Sequence, residues 1–300
     1  MDDALNLPLL TWPWMWLLLA LASSLLAAHN VEINRQARQE GYRLNFWRAS
    51  MTSLFWLPLT LLYPWPTDWS FYAAAFFCGV AMIVGFTIQN DLANKHNGRV
   101  AILYVPLKAV LVFIIWAILD PVARAHVIDN PLITLGVGVC LTTMVVALAE
   151  FRKNDVSLSS LRAVMPIVLL YSLGDIFTRL NLPADSLQER LLVFLFVVAA
   201  TSSVVSLMIY PFRPKPEVAF YTPKLVKSAF RASLGQMGNQ VCFVMALVLA
   251  PNPAYASMVM MLTPVWLLVY HRYAGVKDDA NPIAGTVVVM AAIILMFLVA

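Results

Sequence analysis

The chain has 300 residues, of which 61% are apolar and 12% are charged, and its mean hydropathy is +0.77. This composition leaves too little polar surface to cover a soluble globular protein of this size. Because most Lys and Arg residues fall in loops on one side of the predicted membrane, the net charge of +4 does not indicate a nucleic-acid partner.

Continuous apolar runs of about 20 residues predict an all-α polytopic membrane protein rather than a β-barrel, whose strands would alternate. Ten transmembrane helices are predicted, at about 9–29, 43–63, 69–89, 99–119, 130–150, 158–178, 188–210, 228–250, 254–271 and 282–300. The connecting loops are short, so no separate extramembranous domain is expected. Whatever the protein does should take place in or at the bilayer, with membrane lipid as a partner.

The two halves of the chain, residues 1–153 and 154–300, each hold five of these helices and share landmarks. A long apolar run carries a proline at Pro106 in the first half and at Pro264 in the second. Because proline removes a helical hydrogen bond, both positions are predicted helix breaks. In each half an Asn-Pro pair then opens the next apolar segment: Asn130-Pro131 and Asn281-Pro282. A duplicated unit with interrupted helices is typical of transporters with a site near the bilayer midplane.

Basic residues are distributed unevenly between the two sets of loops. Loops 1–2, 3–4, 5–6, 7–8 and 9–10 hold most of the Lys and Arg residues, whereas the opposite loops hold only Arg124, Arg179 and Arg190. The positive-inside rule therefore places both termini on the non-cytoplasmic side. We expect a multi-pass protein of the cell inner membrane, either a monomer or a homodimer.

Three segments resemble the drug/metabolite transporter superfamily, in particular its EamA-like ten-helix members. They are EGYRLNFWR leading into helix 2, APNPAYASMVMMLTPV across helices 8 and 9, and NPIAG at the start of helix 10: residues 40–48, 250–265 and 281–285. The resemblance covers nearly the whole chain and implies two inverted five-helix repeats, a central cavity and alternating access without an ATP-hydrolysing subunit.

Two features depart from that family. The Gly-Glu pair that commonly ends helices 4 and 9 is replaced by Leu119-Asp120 and His271-Arg272, so no role of that glutamate is transferred. Better-known members also keep their termini in the cytoplasm, whereas the distribution of charge here predicts the opposite orientation.

Lys108 is the basic residue predicted deepest in the membrane. It lies near the centre of helix 4, too far from either end for its side chain to reach the headgroups, where a charge costs at least about 2.5 to 3.5 kcal/mol. Asp175 is predicted near the outer end of helix 6 and Glu150 near the inner end of helix 5. Neither lies at the depth of Lys108, which is therefore expected to lack a counter-charge within the chain. An anionic substrate is then its expected partner, with proton release and structural packing as alternatives.

Other basic residues lie closer to the predicted cytoplasmic surface. Arg48, Arg162 and Arg231 are within about two turns of a helix end, where long side chains can extend to the headgroups. The same holds for Glu150. For Arg48, substrate binding is kept as a second interpretation.

Polar and aromatic residues complete the predicted substrate site. Trp266 follows Pro264 by two residues, as Lys108 follows Pro106, so inverted repeats would place both at one cavity. Helix 8 carries Gln236, Asn239 and Gln240 at helical spacing on adjoining parts of one face.

These amides could bind substrate or hold helices together; cohesion is favoured for Asn239 and substrate contact for the two glutamines. Asp175 and Tyr171, one turn apart on helix 6, are candidates for gating or proton coupling.

The sequence thus predicts a secondary transporter, more plausibly an exporter, for a small anionic or zwitterionic organic metabolite. One alternative is a flippase for a lipid or polyprenyl-phosphate carrier, in which Lys108 would meet the phosphate. Another is a non-transporting receptor or an intramembrane enzyme.

No cofactor, metal site or catalytic residue is predicted, because no phosphate-binding loop, nucleophile motif or histidine cluster is present. All four histidines are expected to be solvated at helix ends.

Overall fold

A computed structural model describes residues 12–37, 41–95, 104–151, 158–212, 219–275 and 281–299. These ranges contain α-helices, three short 3₁₀ turns and no strand. The helices are α1 Met15–Ala37, α2 Gly41–Thr60, α3 Trp69–Lys95, α4 Tyr104–Leu119, α5 Pro121–Asp129, α6 Pro131–Phe151, α7 Leu158–Asn181, α8 Leu187–Ile209, α9 Pro223–Leu249, α10 Pro253–Val259, α11 Thr263–Tyr273 and α12 Pro282–Val299. The predicted starts of the first and fourth transmembrane helices, at 9 and 99, lie outside the described residues.

Within the described ranges, 7 helices are long and apolar enough to cross a membrane, or 8 if α4 and α5 count as one span. The seven are α1, α3, α6, α7, α8, α9 and the α10–α11 pair. The structure therefore confirms an all-helical fold with the helices of a membrane protein. The ten crossings predicted from the sequence are not shown: the described residues give seven or eight spans.

Both predicted Asn-Pro helix starts are present. Pro131 is the first residue of α6 and Pro282 the first of α12, positions at which the missing N–H costs nothing. Asn281 caps α12, since its Oδ1 accepts a hydrogen bond of 3.0 Å from the Ile283 N–H. These two starts follow directly from local sequence chemistry.

The bend between α4 and α5 was not predicted. The two helices meet at 103°, and α5 occupies a stretch that the sequence analysis treated as a loop. Asp120 stops α4 and caps α5, its Oδ1 accepting a hydrogen bond of 2.9 Å from the Val122 N–H. Pro121 then occupies the first position of α5, where its fixed φ favours a new helix. The segment that follows α4 thus turns sharply away from its axis.

The two prolines that mark the halves lie at different places in their helices. Pro264 follows a 3₁₀ turn, Met260–Leu262, that separates α10 from α11, so the predicted interruption is present there. Pro106 lies in the first turn of α4, where proline is tolerated. The residues before Tyr104 that would form the other side of a break lie outside the described part.

Helices from the first half pack mainly on helices from the second. The pairs are α1 with α9 and α11, α2 with α8 and α9, α3 with α7 and α8, α4 with α7 and α10, and α6 with α12. The halves therefore share one interior instead of forming separate bodies. Close approach of α1 and α9 depends on small residues, because a Cβ at Gly238 would lie 3.2 Å from Leu26 Cδ1.

Candidate functional site

A small cavity lies between α2, α3, α8 and α9. It has a volume of about 20 Å³, which is room for a single water molecule. Its lining combines one arginine with amides, hydroxyls and apolar side chains, and the described residues that line it include no acid. They are Asn45, Arg48, Ala49, Thr52, Met82, Ile83, Phe86, Ala199, Ser202, Gln236 and Gln240.

Arg48 is the only charged side chain in that lining. It is 5% exposed, so its guanidinium does not reach the headgroups, and the interpretation that it extends to the surface is wrong. Its carbon Cζ lies 4.6 Å from the centre of the Phe86 ring, a cation–π distance. Among the described residues no carboxylate pairs with Arg48. By contrast Arg162 and Arg231 are exposed.

Two polar side chains beside Arg48 have a buried atom without a hydrogen-bond partner, and a third lines the same space. Gln240 Oε1 and Thr52 Oγ1 are buried and have no hydrogen-bond partner. The Gln240 amide nitrogen reaches only the Met82 sulfur, at 3.7 Å, which is a weak acceptor. Gln236 is 8% exposed and lines the same space. Unmet buried polar atoms are costly and indicate a missing partner such as water or a ligand.

Lys108 has a counter-charge, so the expectation that it lacks one is wrong. Its Nζ lies 2.7 Å from Asp175 Oδ2, and Ser257 Oγ donates a hydrogen bond of 2.9 Å to the same oxygen. The ammonium also lies 4.9 Å from the centre of the Phe243 ring. Because this amine is satisfied within the protein, it no longer supports an anionic substrate at Lys108.

The sequence analysis placed Asp175 too close to the membrane surface, because it estimated the depth of each residue from the predicted end of its helix. The predicted helix ended at 178, which put Asp175 at the surface, whereas α7 continues to Asn181 and leaves Asp175 about 9 Å inside that end. α4 packs on α7, and the flexible Lys108 side chain covers the remaining difference. Side-chain reach and helix rotation are properties that a hydropathy pattern does not contain.

Trp266 and Asn239 make structural contacts with α1 and do not line the cavity. The Trp266 Nε1 donates a hydrogen bond of 2.9 Å to Ser24 Oγ, and Ser23 Oγ donates one of 2.7 Å to Asn239 Oδ1. The favoured interpretation of Asn239 as a helix–helix contact agrees with this geometry. The expected common cavity for Lys108 and Trp266 is not observed.

Trp266→Phe tests this assignment. The variant keeps the ring but loses the bond to Ser24, so we expect the free energy of unfolding to fall by about 0.5 to 1.5 kcal/mol, with ligand binding unchanged. Trp69→Phe, at a position 82% exposed, is the matched control and should be neutral. Unfolding of the purified variants in mixed detergent micelles measures both. A selective loss of binding in Trp266→Phe would return this residue to the site.

Tyr171 connects the cavity wall with the ion pair. Its ring contacts Phe86, with centres 6.2 Å apart, and Tyr104, at 5.4 Å. Its hydroxyl is buried without a hydrogen-bond partner. Since Tyr171 and Asp175 are one turn apart on α7, the aromatic ring lies between the Arg48 side and the Lys108 side of the interior.

A second buried ionic cluster was missed by the sequence analysis. Glu32 on α1 accepts hydrogen bonds from Arg35 Nε and Nη2, at 2.7 and 2.6 Å, and lies 3.1 Å from His271 Nε2 on α11. His271 is 7% exposed, which corrects the expectation of a solvated histidine. The cluster ties α1 to α11 away from the cavity.

Comparisons with known proteins bear on the fold alone. Neither known protein families nor curated proteins give a match to this chain. A solved structure described as "Crystal structure of protein" is 15% identical, with a TM-score of 0.66, over 95% of this chain and 98% of that one. The two chains share an overall helical fold, and the likeness carries no information on activity.

Proposed function

We propose that this protein is a secondary membrane transporter that moves a small organic anion or zwitterion by alternating access. The observation that carries the proposal is Arg48, a buried cation without a carboxylate partner in the described residues, facing a cavity between the two halves. A desolvated, unpaired charge is expensive, and charged groups kept in a membrane interior commonly mark a substrate path.

The packing of helices supports the two-repeat arrangement. In the ten-crossing interpretation, α2, the α4–α5 pair and α12 are added to the seven long spans. The counterparts in the two halves are then α1 and α7, α2 and α8, α3 and α9, the α4–α5 and α10–α11 pairs, and α6 and α12. When counterparts are exchanged, the contact α1–α9 becomes α3–α7, α2–α9 becomes α3–α8, and α4–α7 becomes α1–α11, and all of these contacts are present. The cavity is lined by α2 and α3 and by their counterparts α8 and α9. A site at such an axis is where inverted-repeat transporters bind substrate.

The Lys108–Asp175–Ser257 contact has a role in this proposal as a tie between the halves. Lys108 belongs to the first half, whereas Asp175 and Ser257 belong to the second. Movement of one half against the other must therefore stretch or break the contact. This keeps Asp175 and Tyr171 as candidates for gating or proton coupling, and it moves the proposed substrate contact from Lys108 to Arg48, Gln236 and Gln240.

The flippase alternative has less support. A groove of about 600 Å³ between α6 and α12 is lined by apolar side chains and two threonines. The described residues in that lining include no basic side chain that could hold a phosphate. The groove also lies apart from Arg48 and Lys108.

Counterflow in sealed proteoliposomes tests the proposed function. A panel of radiolabelled small carboxylates and amino acids is presented to vesicles preloaded with the same unlabelled solute. Arg48→Gln should lower uptake at limiting concentration about 10- to 100-fold, as expected for loss of one to two charge-assisted hydrogen bonds.

The matched control is Arg231→Gln, which removes an exposed arginine of similar predicted depth and should leave uptake unchanged. Equal uptake by Arg48→Gln and the native protein would refute the assigned site. Saturable binding without counterflow of any solute in the panel would favour a receptor and refute transport.

A further inference from the structure

The charges around the cavity restrict the substrate more narrowly than the proposed function does. Arg48 supplies one positive charge, and the described residues that line the cavity supply no negative charge. The two buried carboxylates described above are already engaged, Asp175 by Lys108 and Ser257, and Glu32 by Arg35 and His271. A bound ammonium group would therefore be buried without a partner, which is unfavourable.

The single positive charge of the site also limits how much negative charge a bound anion can carry. A carboxylate carries a single negative charge at neutral pH, whereas a phosphate monoester carries about 1.5 to 2. One guanidinium balances the former and leaves the latter with excess charge in a desolvated site. The Phe86 ring engages the Arg48 guanidinium, whose N–H groups have no acceptor among the described side chains. Planar bidentate contact with a carboxylate suits such a donor set.

The unmet acceptors specify the rest of the substrate. Gln240 Oε1 and Thr52 Oγ1 are buried without a hydrogen-bond partner, and both residues line the cavity. The Gln240 oxygen only accepts, so it needs an O–H or N–H donor, whereas the Thr52 hydroxyl can donate or accept. An uncharged donor suits the site, because a charged one would need a carboxylate as well. Met82, Ile83 and Ala199 provide apolar surface for a small body between the two polar ends.

We infer that the site takes a monocarboxylate that carries a neutral hydroxyl or amide N–H donor, such as a hydroxy acid or an N-acylated amino acid, and rejects the corresponding free amino acid. This inference rests on the proposed function and narrows its substrate class. The cavity has room for only about one water molecule, so binding such a substrate would require α2 and α3 to separate from α8 and α9.

Two matched sets of probes test the inference. The first is lactate, alanine and lactamide; the second is N-acetylleucine, leucine and N-acetylleucinamide. Within each set the body is similar, while the second member adds an ammonium group and the third lacks the carboxylate. Binding is measured by equilibrium dialysis of the purified protein with radiolabelled probe, and movement by counterflow in proteoliposomes.

We expect at least one of the two acids to bind at least 10-fold more tightly than both other members of its set. Arg48→Gln should abolish that preference, and Arg48→Lys should retain part of it. Equal or tighter binding of alanine or leucine, or no Arg48-dependent binding of either acid, would overturn the inference. Arg48-dependent counterflow of a free amino acid would overturn it while leaving transport intact. Binding of the acid without counterflow would support the site and refute transport.

Discussion

Lys108→Met is expected to lower the free energy of unfolding by about 3 to 5 kcal/mol, because it leaves Asp175 as an unpaired buried charge. Asp175→Asn should be destabilising by a similar amount, since it leaves the Lys108 ammonium without its carboxylate. The native pair is 2.7 Å apart, with both side chains 10% exposed. Unfolding of each variant in mixed micelles measures the effect.

The double variant Lys108→Met/Asp175→Asn tests whether the two residues stabilise the protein as an ion pair or independently of each other. Removing both charges together should cost less than either single change, because no buried charge remains unpaired. Lys224→Met, at an exposed position in the first turn of α9, is the control and should change the free energy of unfolding by less than about 0.5 kcal/mol. Additive effects of the two single changes would contradict the pairing.

Gly79→Ala is expected to be strongly destabilising, because the added methyl group would meet a backbone carbonyl as well as a side chain. The new Cβ would lie 2.6 Å from Thr201 Cβ and 2.7 Å from the Val198 carbonyl oxygen. Because a backbone carbonyl cannot rotate away, α3 and α8 must separate, at a cost of about 1 to 3 kcal/mol. The shift would also disturb the hydrogen bond of 2.8 Å from Ser202 Oγ to the Gly79 carbonyl.

The matched control for this change is Gly138→Ala. A Cβ at Gly138 would meet nothing within 4 Å, so alanine there should be neutral or stabilising by up to about 1 kcal/mol through helix propensity. Thermal unfolding in detergent and counterflow should both distinguish the two variants: only Gly79→Ala should lose stability and counterflow activity. Equal stability of the two would show that α3 and α8 are less tightly packed than the structure indicates.

The sequence predicted the features that depend on local chemistry. Apolar runs predicted the all-helical fold, Asn281 and Pro282 predicted the start of α12, and the break before Pro264 followed from the missing N–H. Gln236 and Gln240 were also identified as cavity candidates, because polar side chains at helical spacing within an apolar run are unusual. These inferences need only the periodicity and the residue types.

The remaining features depend on how helices rotate and slide against each other. The Lys108–Asp175 pair joins α4 and α7 at a relative depth that helix ends did not reveal, and the burial of Arg48 depends on which helices cover α2. The hydrogen bond from Trp266 to Ser24 on α1 depends on how α11 is rotated about its axis. Such relations arise from packing between distant parts of the chain, so hydropathy and spacing do not determine them.

The small volume of the Arg48 cavity has a consequence for the membrane itself. Proton conduction through a protein interior requires a continuous file of hydrogen-bonded water, and a space that admits one molecule interrupts any such file. For the transporter proposed above, this cavity would therefore offer protons no continuous water path in the conformation described. Such a resting conformation would help to preserve a pH gradient across the membrane between transport cycles.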